Sequence, residues 1–162
     1  MAFKRTILPV ILTLYIAFVF VQSLFFKFTG SPETDYIFST LDAWAAGFGI
    51  FGLFAPTGIF SQYVIGTAEL IASLILLASL APRLRILRPF GALMALGVIS
   101  GAIFFHLFTP LGVSVLNADG THDGGLLFGL ACGVWISAAI LLATSYGQVL
   151  TLLQSRTRSM AA

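Results

Sequence analysis

Four stretches of this chain stay apolar for the length of a membrane-crossing helix: Thr6–Phe26, Phe60–Leu80, Pro89–Phe108 and Leu126–Tyr146. A helix needs about 20 such residues to cross the hydrocarbon of a bilayer. One soluble core of this size could not hide them all. Only 9% of the 162 residues are charged, against roughly 25% in a soluble domain. The expected class is therefore an all-α integral membrane protein, a single membrane domain over residues 1–162. Lys4 and Arg5 precede the first stretch, as they would in a signal peptide. That stretch is too long for the apolar region of a signal, and no A-x-A cleavage pattern follows it. It reads as a retained helix.

A further apolar run, Ala43–Phe60, is different in kind. It contains Gly47, Gly49, Gly52, Gly58 and Pro56, and Gly and Pro disfavour a helix by about 1 and 3 kcal/mol per residue relative to Ala. Charge decides whether it crosses. With four crossings and a cytoplasmic N-terminus, Lys4, Arg5, Arg83, Arg85, Arg88, Arg156 and Arg158 share the inner side. Glu33, Asp35, Asp42, Asp119 and Asp123 then lie outside, with Lys27 as the one basic exception. A further crossing would put the arginine turn opposite Lys4 and Arg5. The positive-inside rule thus predicts an antiparallel four-transmembrane-helix bundle with both termini cytoplasmic. A re-entrant or interfacial outer segment over about 27–59 joins the first two spans, and 147–162 forms a short cytoplasmic tail. Non-helical backbone in the outer segment must be covered by protein. Trp44 and Tyr36 suit the outer interface, and Tyr146 the inner one.

Glycine spacing suggests how the helices close. Gly125, Gly129 and Gly133 recur every fourth residue on the last span, and Gly97 and Gly101 do so on the third. Small residues spaced in this way let helix backbones approach in lipid. The pattern fits internal packing, and it fits equally a protein partner or a second copy of the chain. A net charge of +2 is explained by topology and points to no nucleic-acid partner. The one cysteine, Cys132, excludes thiol–disulfide enzymes that need a pair.

Glu69 is the residue most in need of an explanation. It lies near the middle of the second span, where an acidic side chain costs about 2.5–3.5 kcal/mol to insert. Such a group faces protein or a watery cavity rather than lipid. Gln62, Gly66, Glu69 and Ser73 fall on one helical stripe, so a buried seam is expected along it. Desolvation disfavours the ionised form, and a lone Glu69 is expected neutral. It reads either as a proton relay or as a structural clasp to Gln22, Ser23 or a group on the third span. A neutral clasp would tolerate Glu69→Gln. His106 sits one turn inside the outer end of the third span, on a face with Gly91, Ala95, Val98 and Ala102. It is the second candidate for proton transfer, about 8–10 Å shallower than Glu69 by the helix rise. Lys27 ends the first span, where its stem can snorkel to the headgroups or attract an acidic, quinone-like head. Gln22 and Gln62 are the remaining polar candidates for holding a ligand.

The loop NADGTHDGG, Asn117–Gly125, gathers Asp119, His122 and Asp123 close to His106. Zinc would need His106, His122 and a carboxylate within about 2 Å of one ion, and no H-x-x-x-H or C-x-x-C spacing supports that. Asp119-Gly120 is a turn signal, and Thr121 and Asp123 suit the cap of the last helix. The loop reads as a turn with a cap, and no metal is expected. A two-haem core would need more histidines, at both faces.

The order of these features resembles the DoxX family of small four-helix bacterial membrane proteins. The first span runs into FFKFTG, the second reads IGTAELIASLILL, an inner turn RLRILRPFG follows, and GALMALGVISGAIFFHLF ends near a histidine. The likeness covers most of Val21–Leu142, with 43–60 similar to that family's variable outer segment. It implies a bacterial inner-membrane protein associated with a quinone-linked or redox membrane complex, with Lys27, Glu69 and His106 at the family's polar positions. The chain has no paired cysteines, dinucleotide fingerprint or haem histidines of its own, so any cofactor would be a bound quinone or lipid. The competing expectation is a non-catalytic structural subunit or assembly factor. A transporter is disfavoured, because the chain has no visible internal repeat.

Overall fold

The computed structural model describes the backbone of residues 2–117 and 119–160, with side chains for 7–117 and 119–147. The side chains of Lys4, Arg5, Arg156 and Arg158, which enter the charge argument, lie outside the described residues. The chain forms α1 (Ala2–Thr29), α2 (Pro32–Ala46), α3 (Gln62–Ala78), a 3-10 turn (Pro82–Leu87), α4 (Arg88–Phe108) and α5 (Leu126–Met160). Among the described residues the only extended pairing is an isolated bridge between Leu116 and His122.

Ile7–Thr29, Pro82–Phe108 and Leu126–Gly147 are long and apolar enough to cross a membrane, which marks this as a membrane protein. The apolar helix α3, at 17 residues, is shorter. Within each of the three long stretches only 28% is buried inside the protein. Much of the rest is exposed hydrocarbon such as Phe18, Phe25, Phe90 and Leu93, more than a water-facing surface carries. Several hydroxyls on the helices return to their own backbone, as Thr67 does to the Tyr63 carbonyl (2.7 Å), Ser73 to that of Glu69 (2.8 Å) and Thr144 to that of Ile140 (2.7 Å). They therefore put little unpaired polarity into the lipid-facing layer.

The helix ends follow local chemistry. α1 continues past Phe26 to Thr29 and stops at Gly30, whose φ of 65° is left-handed. The Ser31 amide then donates back to the Phe26 carbonyl (3.1 Å), closing the helix in the manner of a Schellman turn. Ser31 is at once the N-cap of α2, accepting from the Thr34 amide at 3.3 Å, with Pro32 following it and Glu33 and Asp35 in the first turn. Those are the residues a helix N-terminus favours. α2 consumes the first residues of the glycine-rich run and ends at Ala46, and turns lead from there to α3. The outer segment is thus a short helix followed by turns. At its far end α5 continues to Met160, so the 147–162 tail expected from hydropathy is helical backbone through Met160. Loss of apolarity does not end a helix, and no proline follows Tyr146.

α1 packs on α3 and α5, and α4 packs on the same two helices. Ile16, Phe20, Leu76, Ala95, Val134 and Leu141 are central to the core between them. The seam predicted on α3 is present, since Gln62, Gly66, Glu69 and Ser73 are all buried. A second cluster, Leu41, Ala45, Phe54, Leu111 and Val115, joins α2 and the turns after it to the loop following α4. Asp42 pins those turns by accepting from the Phe54 amide at 2.9 Å. Gly58 closes them so tightly that a Cβ there would strike the backbone of Gly52 and Leu53. This assembly forms a cap over one end of the helices.

The glycines of the stripes do not all meet a neighbouring helix among the described residues. Gly133 faces the Tyr15 ring of α1, and Gly91 faces Leu76 and Ile75 of α3. A Cβ at Gly97, Gly101 or Gly129, by contrast, would meet nothing within 4 Å. α1 and α5 approach closely at Gly133. Each four-residue step turns the stripe by about 40° away from the contact.

Candidate functional site

Where α1 and α3 meet, three polar side chains close on one another. Lys27 Nζ lies 2.8 Å from Glu69 Oε2 and 3.0 Å from Oε1, and it also donates to Ser23 Oγ. Ser23 in turn donates to Glu69 Oε2 at 3.1 Å. Ser23 and Lys27 are one helical turn apart and so share a face of α1. The Lys27 and Glu69 side chains are 14% and 7% exposed. Lys27 therefore turns inward instead of snorkelling to the headgroups, and Glu69 meets an ammonium that the sequence reading did not assign to it. The arrangement is that of an ionised pair, which replaces the expectation of a lone neutral acid. Ser23 is a clasp partner as expected, and Gln22 is not. Gln62 completes the corner from behind, donating from Nε2 to the Lys27 carbonyl at 3.1 Å. That bond supplies a partner for a carbonyl in the last turn of α1, which has none within its own helix.

The corner opens into a cavity of about 660 Å³ between the helices, roofed by Leu41 of α2 and by Phe54. The volume is in the range of small-molecule sites. Its walls are mostly apolar, from Phe20 and Phe26 of α1, Ile99 and Phe105 of α4 and Leu130 of α5. Gly97 and Gly101 of α4 line it as well, so their missing side chains widen the cavity. Gln22, Ser23, Lys27, Glu69 and His106 contribute polarity between the helices, and Glu33, Thr34, Asn117 and Asp123 contribute it from α2 and the loop before α5. Four of the five sequence candidates thus share one chamber: Gln22, Lys27, Glu69 and His106. Gln62 stands outside its lining.

His106 enters from α4 and is 8% exposed. Its Nδ1 lies 2.7 Å from the Gly112 carbonyl, and its ring stands edge-on to Phe128, with centroids 5.6 Å apart. Gly112, with φ 69°, has the left-handed conformation that shapes the chain reversal after α4. The same turn fixes the imidazole.

The loop beyond it is committed to its own backbone. Asp123 Oδ1 accepts from the amides of Val115 (2.8 Å) and Gly125 (2.9 Å) and from Ser114 Oγ (3.3 Å), and Oδ2 accepts from the Leu127 amide (2.9 Å). Burial pushes its pKa up, but these four donors outweigh burial and hold it below the usual carboxylate value. Asp123 is the cap of α5. Thr121 is not a cap; it donates its amide and hydroxyl to Asp119 Oδ1 (2.9 and 2.6 Å), which lowers the Asp119 pKa. His122 is exposed and contributes its backbone to the bridge with Leu116. Among the described residues no three His, Cys, Asp or Glu side chains are placed to hold a metal ion.

Sequence reasoning misses the Lys27–Glu69 pair, although a signal for it exists. Opposite charges at the end of one apolar stretch and near the middle of the next, on helices that follow one another in an antiparallel bundle, lie within reach of a lysine stem. It also misses Arg88, buried at the start of α4, whose Nη2 donates to the Ser79 carbonyl (3.4 Å) at the end of α3. A cation there complements the helix dipole. No family model, curated protein or solved structure matches the chain.

Proposed function

We propose that this chain is a four-span protein of the bacterial inner membrane, with both termini cytoplasmic, that holds a lipophilic molecule of the quinone class in the cavity beneath α2. It serves a redox membrane complex whose other subunits supply the electrons, and it carries no redox cofactor of its own. The observation that supports this reading is the chamber itself. It has apolar walls for a ring and tail, and a hydrogen-bonding corner at Lys27, Ser23 and Glu69. Ligand sites are commonly built in this way, with a few placed polar groups in an apolar pocket. Glu69 and His106 are the groups that would exchange protons with the bound head. The likeness of residues 21–142 to the DoxX family agrees with this assignment.

A second reading, a non-catalytic subunit or assembly factor, is favoured by a different observation. Gly129 lies on the exposed side of α5, and among the described residues nothing stands within 4 Å of where its Cβ would be, which leaves room for a partner helix. The test is extraction of lipids from the protein purified from its native membrane, followed by mass spectrometry, beside Gly101→Leu. That substitution projects a side chain into the cavity without displacing a neighbour. Retained quinone that is lost in Gly101→Leu supports the first reading. A stoichiometric protein partner with no extractable ligand supports the second.

A further inference from the structure

The polar groups facing the cavity are unevenly divided between donors and acceptors. Lys27 carries three N–H donors, and they meet three oxygens of its own protein, Ser23 Oγ and both oxygens of Glu69. Its donating capacity is spent. Glu69 accepts three hydrogen bonds, two from Lys27 and one from Ser23, of the roughly four a carboxylate can take. Accepting capacity remains. His106 is held in the same sense. A carbonyl only accepts, so the contact with Gly112 puts the proton on Nδ1, and Nε2 of the neutral ring is an acceptor. Gln22, Thr34 and Asn117 also line the chamber, but each can donate or accept and so does not discriminate. Glu33 and Asp123, also in the lining, are carboxylates, and Asp123 already accepts from four donors of the loop and of α5.

We infer that the cavity selects a lipophile whose head carries two hydroxyl donors, a hydroquinone rather than the corresponding quinone. This rests on the reading that the chamber holds a molecule of the quinone class, and it adds which redox form is held. One hydroxyl donates to Glu69 and the other to Nε2 of His106. The helix rise sets these two groups about 8–10 Å apart in depth. Both groups line the one chamber, and an aromatic ring with a hydroxyl at either end presents one donor to each. At Glu69 and at His106 a quinone would set a carbonyl oxygen against an acceptor, without the hydrogen bond that a hydroxyl makes there, and an unpaired oxygen in an apolar space is what binding sites reject most strongly.

The chain in lipid nanodiscs, at mildly alkaline pH, is titrated with three matched probes: decylhydroquinone kept reduced under anaerobic conditions, its quinone, and its dimethyl ether. Binding is read by calorimetry. The hydroquinone should bind at least about tenfold more tightly than the other two. In His106→Gln the wall gains a donor, so the preference over the quinone should shrink while the quinone binds no worse. Equal affinity for all three probes, or tighter binding of the quinone, overturns the selection and leaves the lipophile site standing. Failure of all three to bind removes the site itself. The probe series on the unaltered chain decides the matter even where His106→Gln does not fold.

Discussion

The ammonium of Lys27 sits 2.8 Å from Oε2 and 3.0 Å from Oε1 of Glu69, joining the end of α1 to the middle of α3. Each side chain explains the other. The carboxylate would be costly alone at that depth, and the ammonium would otherwise extend to water. Removing one member of a buried pair commonly costs about 3–5 kcal/mol, because the other is left uncompensated, whereas replacing both with apolar groups can be neutral. Glu69→Gln and Lys27→Met should therefore each destabilise the protein by about 3 kcal/mol, and the double variant should recover much of the loss. A double-mutant cycle on thermal or denaturant unfolding in detergent measures the coupling. Additive single effects would show that the two charges act independently. For Glu69→Gln this differs from the expectation for a lone neutral acid, since Gln cannot balance Lys27.

Asp123 should behave as a cap with a pH signature. Asp123→Ala is expected to cost about 1–2 kcal/mol. The folded-state pKa is depressed, so the unfolded chain binds the proton more readily than the folded one. The contribution of Asp123 is thus fully present above its unfolded value of about 3.9 and disappears as the pH falls through the lower folded value. Melting temperatures of the wild type and Asp123→Ala should differ at neutral pH and converge in strong acid. A constant difference down to acid would assign the effect to something other than this carboxylate.

The two glycines of α5 should respond oppositely to added bulk. Gly133→Leu drives a side chain into Tyr15, breaks the bond from its hydroxyl to the Leu130 carbonyl (3.3 Å), and should cost about 1–3 kcal/mol, as overpacking does. Gly129→Leu extends into open space and should leave the melting temperature of the isolated chain unchanged. Equal losses at both positions would mean that α5 also meets a helix at Gly129, and size measurement in detergent would identify a second copy.

Topology can be read by labelling. In a Cys132→Ser background, a membrane-impermeant maleimide added to intact cells should modify Gly120→Cys and leave Arg85→Cys unmodified until the membrane is opened. Labelling of position 85 from outside would require another crossing between the first and second spans.

Hydropathy determines the class of this protein outright. Hydrocarbon admits only backbone that satisfies its own hydrogen bonds, so long apolar runs have to become helices. The buried stripe of Gln62, Gly66, Glu69 and Ser73 was legible for a related reason, because a helical period carries polar residues to one side. Tertiary structure decided what that stripe meets. Lys27 lies 42 residues from Glu69 in a separate helix, and no local period encodes which of two directions its stem takes. The glycines make the same point. Their spacing is visible along the chain, but whether a missing side chain admits a neighbour, as at Gly133, or widens a chamber, as at Gly101, depends on what the packed helices place opposite it. The chamber itself exists only between helices. It is set by packing forces spread over many weak contacts, which no single stretch of sequence contains.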